Sequence, residues 1–166
     1  MTAPNKIIDS TIVKAHQHAM GAIGGKDFNK IGKSRGGWTT KIHAVVDSKA
    51  RPLTVSLTEG QRDDSQMAIE MLKDHACDRI IGDKAYDTNA IRVFLKIHGG
   101  AAIIPSQSKR THQIPYNQRS YKKRNLVERF FQRIKGWRRI ATRYEKKGTS
   151  YLSIVIVACI CFWLMY

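Results

Sequence analysis

An aspartate stands inside an apolar, β-branched run near the start of this chain, and the pattern recurs further along. Residues 6–13 read KIIDSTIV, short and bounded by Pro4 and the polar KAHQH. They predict a buried strand interrupted at Asp9. Residues 78–87 read DRIIGDKAYD, which predicts a second buried strand from Arg79 to Gly82 that ends directly on Asp83. A buried carboxylate is costly unless a metal ion or a cationic group receives it. Strand ends converge in space, so the two acids are candidates for one site.

The remaining elements fill in a sheet with helices. KIHAVVD (41–47) and PLTVSLTEG (52–60) predict two strands joined by the turn SKAR, an antiparallel hairpin. A helix is expected from Ser65 and another over 88–100, with Asp87 or Thr88 as N-cap and Gly99 or Gly100 as the stop. AAIIPS (101–106) is a further strand candidate, and 107–120 is a loop before two last helices. The segment 14–37 is expected to be a mobile Gly/Lys-rich surface loop able to touch phosphate through Lys33 and Arg35. Strands alternating with helices after a hairpin give an α/β class with a mixed central sheet. At 166 residues, the length fits a single domain over 1–166.

Residues 121–137, YKKRNLVERFFQRIKGW, predict an amphipathic helix. At about 100° per residue, Tyr121, Arg124, Glu128 and Lys135 fall on one stripe, and Leu126, Val127, Phe130, Ile134 and Trp137 on the other. One carboxylate thus sits in a cationic stripe. A solvated face of Glu–Arg pairs, worth a few tenths of a kcal/mol each, explains the stripe equally well when it is taken alone. The surroundings favour a polyanion surface: from Arg119 to Lys147 there are 12 Lys or Arg, Arg138 and Arg139 among them, and two acids. The whole chain carries 29 Lys plus Arg against 13 Asp plus Glu, a formal charge of +16. Nucleic acid is the expected partner.

Several function classes are excluded. Hydrophobic residues make up 42% of the chain, too many for a disordered basic tail. Cys77, Cys159 and Cys161 form no CxxC pair, so neither a zinc knuckle nor a disulfide framework is expected, and a cytoplasmic, nucleoid-associated location fits. No signal peptide opens the chain. The apolar run 154–166 is shorter than the ~18–20 residues that span a bilayer, and is read as a buried core element with no membrane partner. GKS at 32–34 lacks the glycine of a phosphate-binding loop, because Asp27 occupies that position. His16 and His18 match no zinc spacing, and no GxSxG elbow is present.

Two strand aspartates and one helix glutamate are the oxygen ligands that a pair of Mg²⁺ ions needs, one ion activating a hydroxyl and the other stabilising a leaving oxygen. Asp47, Asp63, Asp64 and Asp87 have plainer readings as turn residues, caps or solvated charges. Taken together, Tyr121, Arg124, Glu128 and Lys135 reproduce the Y-(2)-R-(3)-E-(6)-K signature of the bacterial insertion-sequence DDE transposases, and IIDST and IIGDKAYD resemble that family's two aspartate motifs. GKSRGGWTTKIHAVVD and IVIVACICFWL are similar to it as well.

The resemblance implies a ribonuclease-H-like catalytic domain that cleaves DNA and transfers the strand during transposition of an insertion sequence. In it Asp9, Asp83 and Glu128 would be catalytic and hold two Mg²⁺ ions, with Mn²⁺ as a substitute. Tyr121, Arg124 and Lys135 would contact DNA near the scissile phosphate. Paired element ends imply at least a homodimer in the active complex. The family's N-terminal end-recognition region is expected to be absent, because Asp9 lies so close to the start. The chain would then be a second-frame product joined to an upstream partner, or a fragment. The rival reading is a catalytically inactive basic DNA-binding module.

Overall fold

The structure is a computed structural model, and it describes residues 4–21, 28–75 and 78–164. The run around Asp9 forms the longest strand, β1 (Asn5–Ala15). The predicted hairpin is present as β3 (Gly37–Val46) and β4 (Pro52–Glu59), antiparallel with Ile42 opposite Leu57. Its turn is closed by Asp47, which accepts from the Lys49 and Arg51 amides (2.8 and 2.9 Å). β1 pairs antiparallel with β3 from Ile7↔Val46 to Lys14↔Thr39. On its other edge it pairs in parallel with β5 (Arg79–Ile81), which in turn pairs in parallel with β6 (Ala101–Ile103).

Helices cover both faces of this mixed sheet. Ile8, Val45 and Ile80 pack on one face against Ala68, Met71 and Leu72 of α1 (Ser65–Leu72) and against Ile91 and Leu95 of α2 (Asn89–Ile97). Ile7, Val13, Ile42, Ala44 and Ile81 pack on the other. That second face receives Val127, Phe130, Phe131 and Ile134 of a later helix, with Tyr151, Val155 and Ala158 near the C-terminus. The period-2 alternation of each strand divides its apolar residues between two cores. The expected α/β class, a mixed central sheet flanked by helices, is the fold of the chain.

Four local expectations differ. The expected loop over 14–37 is in part regular: β1 runs on to Ala15, Gln17–Ala19 make a 3₁₀ turn, and Gly32–Ser34 form β2 against Gly37–Thr39. Residues 22–27 of that stretch lie outside the described residues, as does Cys77. The single helix expected over 121–137 is instead α3 (Gln118–Tyr121), a 3₁₀ turn at Lys122–Arg124, and α4 (Asn125–Ile134). Trp137, placed on the apolar stripe by periodicity, lies past the end of α4 and is 43% exposed.

Beyond it come α5 (Arg138–Ala141), the short β7 (Thr142–Arg143) beside the end of β1, and α6 (Gly148–Leu164). The apolar C-terminal run is only half buried: one face of α6 packs on the sheet, while Val157, Ile160 and Leu164 point outward. Among the described residues no helix is long and apolar enough to cross a membrane. Cys159 and Cys161 are free thiols.

Candidate active site

The pairing register brings the two aspartates together. The last parallel pair of β1 and β5 is Ile7↔Ile81, and Asp9 and Asp83 each lie two residues beyond it. By strand parity Asp9 belongs to the face that carries Ile7, which α4 covers. β5 stops at Ile81, so the acids occupy a gap on the edge of β1 between β5 and β7. Gly82 lets the chain turn there: a Cβ would lie 3.2 Å from both Ile8 Cγ2 and the Tyr86 ring. Asp83 then caps the 3₁₀ turn Lys84–Tyr86, accepting from the Ala85 amide at 2.8 Å.

Glu128 arrives from α4, on the side opposite the buried Val127, Phe130 and Ile134. It is joined to Asp9 through one residue: the Arg124 guanidinium donates to Asp9 Oδ2 at 2.6 Å and to Glu128 Oε1. The i, i+4 spacing that the sequence placed on one stripe is therefore an ion pair that also reaches across to β1. Burial pushes the Asp9 carboxyl up to about 6, and the neighbouring Asp83 and Asp64 act in the same direction; the Ser10 amide and Arg124 oppose the shift. Burial also raises the Tyr121 hydroxyl, which stands near Arg124, Asp83 and Asp9 with its ring edge-on to Tyr116. Lys135, at the end of α4, donates to the Ile12 carbonyl at 3.0 Å, on the same open edge of β1, and burial lowers its pKa.

Of the ten residues singled out from the sequence, six therefore gather at one place: Asp9, Asp83, Tyr121, Arg124, Glu128 and Lys135. Lys33 and Arg35 lie at the β2–β3 turn, beside a groove of about 510 Å³ lined by Ile12, Lys14, Arg35, Thr39 and Gln61. Arg138 is exposed on α5, whereas Arg139 is held by Glu145 at 2.7 Å. Among the described residues no three carboxylate, histidine or cysteine side chains are grouped closely enough to hold a metal ion together. The donors are nonetheless of the hard-oxygen kind that Mg²⁺ takes, and Asp9 and Glu128 already converge on one cationic group.

The transposase DDE domain family matches residues 5–163, nearly the whole chain. The chain belongs to this family. A Brucella ovis protein named as a transposase for insertion sequence element IS6501 is 36% identical over 137 residues, covering 76% of this chain and 98% of that protein. Among solved structures, the piggyBac transposase synaptic complex with hairpin DNA aligns at 14% identity and TM-score 0.45, over 69% of this chain and 25% of that one. The pre-cleavage Mos1 transpososome aligns at 10% identity and TM-score 0.40, over 81% and 48%.

In this DDE domain two polar residues near the acids escaped the sequence reading. Asp64, read as a cap or a solvated charge, makes no capping bond and instead accepts from Ser10 Oγ and Lys41 Nζ (2.9 and 2.7 Å). Tyr86 is buried beside the acids, and its hydroxyl makes no well-formed hydrogen bond among the described residues. No local pattern marks either one, because both contacts cross between elements far apart in sequence.

Proposed function

We propose that this chain is a polynucleotidyl transferase that cleaves DNA at insertion-sequence ends and joins the freed 3′-hydroxyl to target DNA. The observation that carries the reading is the Arg124 bridge between Asp9 and Glu128, at a strand edge where the register also sets Asp83 level with Asp9. Asp9, Asp83 and Glu128 would hold two Mg²⁺ ions, for which Mn²⁺ can substitute. Bound there, the metal activates the attacking oxygen and stabilises the leaving one. Tyr121, Arg124 and Lys135 face the same gap and would orient the phosphate. Lys33, Arg35, Arg138 and Arg139 would extend the grip on the DNA backbone. Such a reaction needs positioning and charge rather than a protein nucleophile. Two element ends have to be handled together, so we assign the active form to a dimer or larger assembly.

Nicking and joining of DNA by the purified chain, in Mg²⁺ and in Mn²⁺, tests this. Metal-dependent product is expected from the wild type, with a loss of about 100-fold or more in Asp83→Asn and in Glu128→Gln while DNA binding survives. Cleavage retained in both variants would sink the assignment. DNA binding without any nicking by the wild type would favour the inactive basic module.

A further inference from the structure

The Asp9 carboxylate is fixed from two directions. Arg124 holds Oδ2, and the backbone amide of Ser10 donates to Oδ1 at 2.8 Å. Ser10 itself faces the other side of β1, where its hydroxyl donates to Asp64 Oδ1 at 2.9 Å. The same oxygen accepts from Lys41 Nζ at 2.7 Å, and Lys41 makes a second bond to the Arg62 carbonyl at 2.6 Å. One carboxylate oxygen thus ties β1, β3 and the start of α1 together, a single residue away from Asp9.

The helix does not need Asp64 for its own sake. Its backbone is already helical (φ −63°, ψ −35°) and its side chain makes no capping bond. Asp63 takes that part, accepting from both the amide and the hydroxyl of Ser65 at 2.9 Å. Asp64 is left free to turn to the sheet. A second feature points to the same spot: the buried Tyr86 hydroxyl lies among Asp64, Asp9, Asp83 and the Ser10 side chain, without a well-formed hydrogen bond to any described residue. A buried hydroxyl left unpaired carries a desolvation penalty, so this polar pocket has an unused group facing its acids.

We propose that Asp64 is a positioning residue of the active site. Through Ser10 it fixes the direction of the Asp9 carboxylate, while Lys41 balances its charge. Groups one bond behind a metal-binding carboxylate set its orientation, and losing them typically weakens metal binding about 10–100-fold. The inference rests on the reading of Asp9 as a metal-binding acid, so its test separates the two.

Terbium luminescence, sensitised by the chain's own tyrosines and tryptophans, reads cation binding without DNA or turnover. It is run on the full chain beside thermal melting and the Mn²⁺ dependence of nicking. Asp64→Asn and Ser10→Ala are expected to raise the half-saturating cation concentration about tenfold in both titrations. Asp63→Asn, which removes the neighbouring acid but not the link to β1, is expected to shift only the melting temperature. If Asp64→Asn fails to fold, Ser10→Ala breaks the same link with the Asp64–Lys41 pair intact and decides the matter. Titrations of Asp64→Asn or Ser10→Ala that superimpose on those of the wild type would overturn the proposal. Terbium binding that survives in Asp9→Asn would instead overturn the metal-site reading on which it depends. A wild type that binds terbium through Asp9 but does not nick DNA leaves the terbium titration to decide the positioning role.

Discussion

His43 stands in register with Ser10 on the neighbouring strand, next to Asp9, and the two titratable side chains carry opposite pH signatures. His43 is fully buried, and burial lowers its pKa to about 4 from 6.5. Its Nε2 meets Thr58 Oγ1 at 2.8 Å while Nδ1 has no partner among the described residues, an arrangement that suits the neutral ring. The unfolded chain protonates this histidine first, so its contribution to stability is full above about pH 6.5 and is lost as pH falls towards 4. Asp9 does the reverse. Its folded pKa of about 6 lies above the ordinary aspartate value of 3.8, so the folded chain keeps a proton that the unfolded chain has released. That contribution is full below about pH 3.8 and is lost as pH rises through 6. Each amounts to about 3 kcal/mol at its limit, by ~1.4 kcal/mol per pKa unit, and over the shared window they largely cancel. Thermal melting between pH 4 and 7 is expected to give a shallow profile for the wild type. Asp9→Asn should leave a profile that rises with pH, and His43→Gln one that falls. An Asp9→Asn profile parallel to the wild type would show that the Asp9 carboxyl is not destabilised by its surroundings.

At the scale of elements, Asp87 shows how a residue that looks like a cap can hold a loop. Thr88 caps α2, accepting from the Ile91 amide. The Asp87 side chain is instead wholly buried, pairing with Arg92 at 2.7 Å and Arg110 at 2.9 Å and accepting from the Gln107 amide at 2.8 Å. These charge-assisted bonds hold its carboxyl below the usual range despite the burial that opposes them. They fasten the segment after β6 to the start of α2. Asp87→Ala would strand two arginines, and a loss of about 3–5 kcal/mol is expected. For a chain of this length that corresponds to a melting temperature lower by roughly 6–20 °C. A drop of only a degree or two would mean that the arginines find water instead. The same contrast explains which elements were legible. The β3–β4 hairpin and the strands bearing Asp9 and Asp83 were visible because alternation and turn residues are local signals. The short β7 is created by pairing with the distant β1, and β2 is only three Gly, Lys and Ser residues folded back on the start of β3, with no apolar alternation to mark it, so residues 14–37 read as a loop. Periodicity likewise ran α3 and α4 together, because a 3₁₀ turn at Lys122–Arg124 changes the phase without changing composition.

For the whole molecule, the +16 charge is not all available to a partner. Arg143 is fully buried, donating to Thr40 Oγ1 at 2.6 Å and to the Glu145 carbonyl at 2.9 Å, so its place in the basic stretch 119–147 reflects architecture. Arg92, Arg110, Arg139 and Arg124 are likewise engaged with acids. Sequence counting could not separate these from free cations, because the separation depends on which acid lies opposite in space. Lys14, Lys33 and Arg35 are exposed and have no acidic partner among the described residues, and they flank the groove beside Ile12, whose carbonyl Lys135 already holds. If DNA leaves the acids along the open edge of β1, its phosphates reach Lys14 about 17 Å from Asp9, the length of five strand residues, and with it the groove that Arg35 also lines. Binding to a DNA duplex should then weaken with salt in proportion to the phosphates contacted, with a log–log slope of about −0.9 for each. Replacing Lys33 and Arg35 together by Ala is expected to make that slope shallower by nearly two contacts. Arg143→Met should lower the melting temperature and, in chains still folded at the assay temperature, leave the slope unchanged. A Lys33/Arg35 variant with the wild-type slope would place the DNA path elsewhere, along the exposed cations of α5 and the turn before α4.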